Sequence, residues 1–202
     1  MRQSVPDHLA DPVGSASAWN VANALTVLRL ALVPVFVVFA VPGLADGDDD
    51  LLAIATAVFL GAALTDLVDG EIARRRHLVT NFGKVVDPIA DKALTGAALL
   101  VLSAFDQLAW WVTAVIIGRE VVVTCLRFWV IRHGVIAASR GGKLKTVLQI
   151  TAIALYLLPL QPDADFLPAT VMALAVVVTL LTGADYVARA LRLRRASLAA
   201  AP

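Results

Sequence analysis

Four aspartates are the residues best placed for chemistry. Asp66 and Asp69 lie in Asp66-Leu67-Val68-Asp69-Gly70-Glu71-Ile72-Ala73-Arg74, and Asp87 and Asp91 in Gly83-Lys84-Val85-Val86-Asp87-Pro88-Ile89-Ala90-Asp91. Helical spacing puts Asp66, Asp69 and Ala73 on one face. Asp87 and Asp91 are four apart, so a second helix offers two carboxylates from one face. Two helices joined by a short basic linker can lie antiparallel and point all four carboxylates into one gap. Like charges at that range repel strongly unless cations or protons neutralise them. Hard oxygen ligands with little His or Cys nearby suit Mg²⁺ or Mn²⁺ better than zinc. Two such ions side by side form a clamp for displacement at phosphorus. The plainer alternative, solvated carboxylates at helix ends, suits Asp66 and Asp69 poorly. They follow a long apolar run, and ionisable groups at membrane depth are functional candidates by default. Gly70 and Ala73 allow either close helix packing or approach of a ligand to the metal site.

The elements that must position these residues are apolar. Of 202 residues, 59% are hydrophobic and the mean hydropathy is +0.81, whereas soluble domains are about 45–50% apolar. Six apolar segments are expected at roughly 22–42, 51–73, 85–105, 109–131, 146–161 and 166–188. The breaks alternate in charge. That at 43–50 is acidic, with Asp46, Asp48, Asp49 and Asp50; that at 74–84 is basic, with Arg74, Arg75, Arg76 and Lys84. The break at 106–107 has no Lys or Arg, that at 132–145 has Arg132, Arg140, Lys143 and Lys145, and that at 161–165 is acidic again. Arg189, Arg192, Arg194 and Arg195 follow the sixth segment. Positive-inside logic puts the basic breaks and both termini in the cytoplasm. The expectation is an all-α integral membrane protein, a six-transmembrane-helix bundle. Residues 1–18 read as a disordered polar tail rather than a signal peptide, 19–195 as one membrane domain and 196–202 as a C-terminal tail. Pro159 and Pro162 limit the fifth segment, which reads as a full span or as a shorter buried helix. The run 17–23 starts the first span or lies on the membrane surface. Trp110 and Trp111 suit a membrane interface. The single cysteine, Cys125, excludes a disulfide framework and reads as a small packing residue. The net charge of +1 identifies no partner, and no nucleic acid is expected.

The pattern Asp66-x-x-Asp69-Gly70-x-x-Ala73-Arg74, eight residues, then Gly83-x-x-x-Asp87-x-x-x-Asp91 resembles the signature of the CDP-alcohol phosphatidyltransferases. All eight defining positions match at that family's spacing. The resemblance runs from about residue 20 to about residue 195. It implies a six-helix membrane bundle, usually dimeric, with the motif on helices two and three at the cytoplasmic side. It also implies a Mg²⁺-dependent reaction in which an acceptor hydroxyl attacks the lipid-side phosphorus of a CDP-linked lipid and CMP leaves. By the same resemblance Asp66, Asp69, Asp87 and Asp91 hold two metal ions, and Asp91 is the base for the acceptor hydroxyl. Gly70, Ala73, Arg74 and Thr80 correspond to positions that line the nucleotide site. Arg74 has a physical case as well, because a guanidinium binds phosphate oxygens bidentately; Arg75 and Arg76 read as positive-inside anchors. Asn23, Thr26 and Arg29 share a helical face, and the Asn–Thr–Arg pattern resembles one in the glycerophosphate-using branch. Asn23 and Thr26 are accordingly assigned to the nucleotide side, although interhelical hydrogen bonding is the commoner use of such residues.

The acceptor clue lies in Gly118-Arg119-Glu120 and Arg127, then Ser139-Arg140-Gly141-Gly142-Lys143-Leu144-Lys145-Thr146. Arg119 and Arg127 can face one side. With Lys143 and Lys145 at the next cytoplasmic helix start they form a cationic pocket for an acceptor that carries its own phosphate, aided by backbone donors at that helix start. Glu120 is open to an ion pair between helices. The arrangement resembles the branch of the family whose acceptor is sn-glycerol 3-phosphate, the phosphatidylglycerophosphate synthases. That implies transfer from CDP-diacylglycerol to sn-glycerol 3-phosphate at the inner face of the plasma membrane. An inositol phosphate or phosphatidylglycerol as acceptor keeps the aspartate motif and changes the pocket. A divalent-cation transporter needs ligands near the bilayer centre with access from both sides, whereas these carboxylates flank one loop.

Overall fold

The computed structural model describes residues 21–76, 81–130, 140–160 and 166–199. They form six α-helices and, among the described residues, no strand: α1 Val21–Asp46, α2 Asp49–Arg76, α3 Asn81–Ala104, α4 Trp110–Val130, α5 Arg140–Leu157 and α6 Phe166–Ala199. Each expected apolar segment coincides with one helix. The helices reach further into the polar breaks than the apolar runs indicate. Gly83 and Lys84 already belong to α3, α5 starts at Arg140, and α6 continues through the arginine run to Ala199. Arg, Lys, Ala and Leu are good helix formers, so loss of hydrophobicity alone does not end a helix. Residues 1–20, with the expected tail and the first part of the stretch 17–23, lie outside the described residues; 21–23 open α1.

The acidic break between α1 and α2 is a cap rather than a loop. Gly47 takes a left-handed φ of 67°, a conformation glycine adopts at little cost, and the Asp48 N–H donates back to the Gly43 carbonyl at 3.0 Å. The Asp48 side chain then accepts the Asp50 and Leu51 N–H groups, each at 3.0 Å, as an N-cap does. Asp49 and Asp50 occupy the first turn of α2, where the helix dipole favours negative charge. Contacts between Phe36 and Phe59, ring centroids 5.9 Å apart, and between the Gly43 backbone and Leu52 make α1 and α2 antiparallel.

At the next turn the Gln107 and Leu108 N–H groups both donate to the Leu102 carbonyl. Ser103 Oγ and Thr113 Oγ1 are 2.7 Å apart in the interior, and Thr113 Oγ1 donates to the Leu99 carbonyl at 3.3 Å. With the Lys92–Glu120 pair further along, these contacts make α3 and α4 antiparallel. The core is drawn from all six helices and includes Phe36, Phe59, Leu99, Leu102, Ile116, Ile153 and Met172. α5 ends at Leu157, before Pro159, and buries Gln149, Ala152, Ile153 and Leu157.

The outer surface is also apolar. Large hydrophobic side chains are exposed on every helix, among them Val38, Ile54, Leu100, Val122, Val147 and Leu181. Among the described residues, stretches Val27–Asp46 and Phe166–Arg194 are long and apolar enough to cross a membrane. Trp110 and Trp111 open α4 and are both exposed. Cys125 is exposed rather than packed, because α4 turns that face away from its neighbours.

Candidate active site

The aspartate motif occupies the end of α2 and the start of α3, joined by residues 77–80, which lie outside the described residues. α2 is continuous through Asp66, Asp69, Gly70, Ala73 and Arg74, so the helical spacing read from the sequence holds there. α3 is likewise continuous through Asp87 and Asp91, including Pro88. The side chains of these motif residues lie outside what the structure describes, as do those of Asn23, Thr26 and Arg127. Thr80 lies outside the described residues altogether. Arg29, one turn beyond Thr26, is buried at 1% exposure.

Immediately after Asp91 the site is defined in atomic detail. Lys92 of α3, Arg119 of α4 and Lys145 of α5 converge on one carboxylate, that of Glu120. Lys145 Nζ donates to Glu120 Oε1 at 2.5 Å and Arg119 Nη1 to the same oxygen at 2.9 Å. Lys92 Nζ lies 3.4 Å from Oε2. Three cations against one carboxylate leave a surplus of two positive charges. Lys145 is 7% exposed, so this surplus is only weakly screened by solvent. A cavity of about 110 Å³ opens beside the cluster. Lys92, Glu120, Lys145 and Gln149 give it a polar end; Leu99, Ile116 and Ile150 give it apolar walls. Such a site can hold a small anion against its polar side chains.

Of the expected cationic residues, the structure brings Arg119 and Lys145 together and leaves Lys143 out. Lys143 is exposed on α5, because two residues along a helix turn the side chain to the opposite face from Lys145. Arg119 belongs to the cluster without lining the cavity. Its Nη2 donates to Thr182 Oγ1 of α6 at 3.1 Å, and its aliphatic stem lies over Gly183. A β-carbon at Gly183 would sit 3.1 Å from Arg119 Cγ and 3.2 Å from Nε. Gly183→Val is therefore expected to push the guanidinium off Glu120 and Thr182. Overpacking of this kind costs about 1–3 kcal/mol, and kcat/KM for the anionic substrate should fall roughly tenfold in steady-state assays. Lys92, Gln149 and Thr182 were not among the expected site residues. Lys92 adjoins Asp91 and Gln149 is four residues from Lys145, so helical neighbourhood is a usable signal for both. Thr182 has none, since its partner is 63 residues away.

Comparison with known proteins shows what the chain as a whole is similar to. Residues 19–181 match the family model described as CDP-alcohol phosphatidyltransferase. A probable phosphatidylglycerophosphate synthase of Mycobacterium tuberculosis (strain H37Rv) is 50% identical over 179 residues, covering 89% of this chain and 85% of the relative. A CDP-diacylglycerol–glycerol-3-phosphate 3-phosphatidyltransferase of Bacillus subtilis is 39% identical over 180 residues, covering 83% and 93%. The protein of that name in Salmonella typhimurium is 33% identical over 178 residues, covering 85% and 95%.

Proposed function

The chain belongs to the CDP-alcohol phosphatidyltransferase family, and on that premise we propose that it transfers the phosphatidyl group of CDP-diacylglycerol to sn-glycerol 3-phosphate. The products are phosphatidylglycerophosphate and CMP. The observation that supports an acceptor bearing its own phosphate is the partly buried cationic cluster on Glu120, whose Lys92 directly follows Asp91 in α3. A surplus of two positive charges matches a phosphate monoester, which carries about −1.5 to −2 at neutral pH. The names of relatives matched along most of their length support the same acceptor.

In this reading Arg74 holds phosphate oxygens of the CDP moiety, and Asn23, Thr26, Gly70, Ala73 and Thr80 line the nucleotide. Lys92 and Lys145 take the acceptor phosphate in the cavity, and Arg119 acts behind them. A hydroxyl oxygen of glycerol 3-phosphate attacks the lipid-side phosphorus. The bond from that phosphorus to the bridging oxygen breaks, CMP leaves with that oxygen, and the hydroxyl proton passes to Asp91. Four carboxylates with no soft donor among them fit two hard divalent ions, Mg²⁺ or Mn²⁺, on Asp66, Asp69, Asp87 and Asp91. When bound, such ions neutralise the diphosphate and stabilise the leaving CMP.

The same proposal places all six helices across the plasma membrane, with both termini and the active site cytoplasmic and the protein a homodimer. Exposed apolar side chains on every helix and the alternation of basic and non-basic breaks support the six spans. The test is CMP release by the purified protein in detergent with CDP-diacylglycerol and Mg²⁺, offering glycerol 3-phosphate, inositol phosphate or phosphatidylglycerol singly. Release with glycerol 3-phosphate alone is expected. Release with another acceptor would retain the aspartate roles and overturn the acceptor. Divalent-ion flux in vesicles without CMP release would overturn the enzyme.

A further inference from the structure

Among the described residues that line the cavity, Glu120 is the acidic one, beside the cations Lys92 and Lys145. It sits at the junction of three helices and engages a cation from each of them: Lys92 from α3, Arg119 from its own α4 and Lys145 from α5. A fourth helix braces the cluster, because Arg119 also donates to Thr182 of α6. A carboxylate in an anion site ordinarily weakens it by repulsion. Here the alternative is worse. Three cations gathered around one point in a partly buried site repel one another strongly, so Lys92, Arg119 and Lys145 would not stay together without a shared counter-charge.

The contacts are also graded. Lys145 and Arg119 make short hydrogen bonds to Glu120 Oε1. Lys92 is held at 3.4 Å from Oε2, outside the usual range for an N–H···O bond. Among the described residues Lys92 is therefore gathered but not consumed, and its ammonium keeps donors for a ligand in the cavity. On the same count Lys145 keeps two of its three donors.

We propose that Glu120 is a positioning residue for the acceptor: it assembles Lys92, which directly follows Asp91 in α3, and Lys145 into a phosphate cradle on the cavity wall, with Arg119, itself held by Thr182, fixing its carboxylate from behind. This deepens the glycerol-phosphate reading and rests on it. Pre-assembly lowers the ordering cost of binding, and it sets the acceptor phosphate at a fixed distance from the base, which governs alignment of the attacking hydroxyl.

The experiment uses the full chain in detergent with Mg²⁺, varying glycerol 3-phosphate and CDP-diacylglycerol independently for wild type, Glu120→Gln, Glu120→Asp and Thr182→Val. Loss of the shared counter-charge in Glu120→Gln should raise KM for glycerol 3-phosphate about tenfold or more while KM for CDP-diacylglycerol stays within about twofold. Glu120→Asp keeps the charge and should recover part of that loss. Thr182→Val, which removes only the brace, should raise the same KM roughly threefold, and it decides the matter if Glu120→Gln does not fold. An unchanged or lowered KM for glycerol 3-phosphate, or a loss confined to kcat with both KM values unmoved, would overturn the role. If wild type releases no CMP with glycerol 3-phosphate, the acceptor reading fails separately. Glu120 is then tested by thermal protection with inorganic phosphate: protection lost in Glu120→Gln supports the cradle, and equal protection in both proteins overturns it.

Discussion

Asp91→Asn is expected to reduce CMP release by about 10³-fold, within the range that a positioned general base contributes, while the protein still folds. A carboxamide has nearly the shape of a carboxylate, so α3 should persist, but it cannot accept the acceptor's proton at neutral pH and is a poorer ligand for a hard cation. Asp91 carries two competing duties in this account, since a carboxylate bound to a metal is a weaker base. The measurement is CMP release alongside gel filtration and thermal unfolding in detergent. A folded variant with near-normal turnover would remove Asp91 from the role of base.

Lys145→Ala carries the second large effect. Lys145 is buried and hydrogen-bonded to Glu120. Truncating one partner of such a pair costs roughly 2–5 kcal/mol, much of it from the charge left behind. The expected outcome is a fall of about 100-fold in kcat/KM for glycerol 3-phosphate, equivalent to about 2.7 kcal/mol. Lys143→Ala is the contrast. Lys143 carries the same charge two residues away but is exposed and outside the cluster, so its loss should change kcat/KM by no more than about threefold. Equal losses in the two variants, in steady-state assays with glycerol 3-phosphate varied, would mean that overall positive charge rather than the Glu120 cluster holds the acceptor.

The helices were legible because each is a long apolar run, and the aspartate motif was legible because its spacing is internal to two consecutive helices. What escaped was tertiary. Glu120 could be named as one side of an ion pair, but its partners Lys92 and Lys145 come from helices whose relative rotation no local pattern encodes. Lys143 shows the same limit from the other side. Its place at a helix start put it in a pocket with Lys145, whereas the structure turns it outward; Arg119 joins the cluster as expected. The acidic run at Asp46–Asp50 signalled a break, and only the side-chain hydrogen bonds show that Asp48 caps α2.

The most direct test of the central claim follows the acceptor rather than the leaving group. Glycerol 3-phosphate labelled with ³²P would be incubated with the purified protein, CDP-diacylglycerol and Mg²⁺, and the label partitioned between water and an organic extract. Label is expected to enter the lipid phase in equal amount to the CMP released. CMP released while the label stays in water would contradict it, because the phosphatidyl group would then be passing to water or to another acceptor.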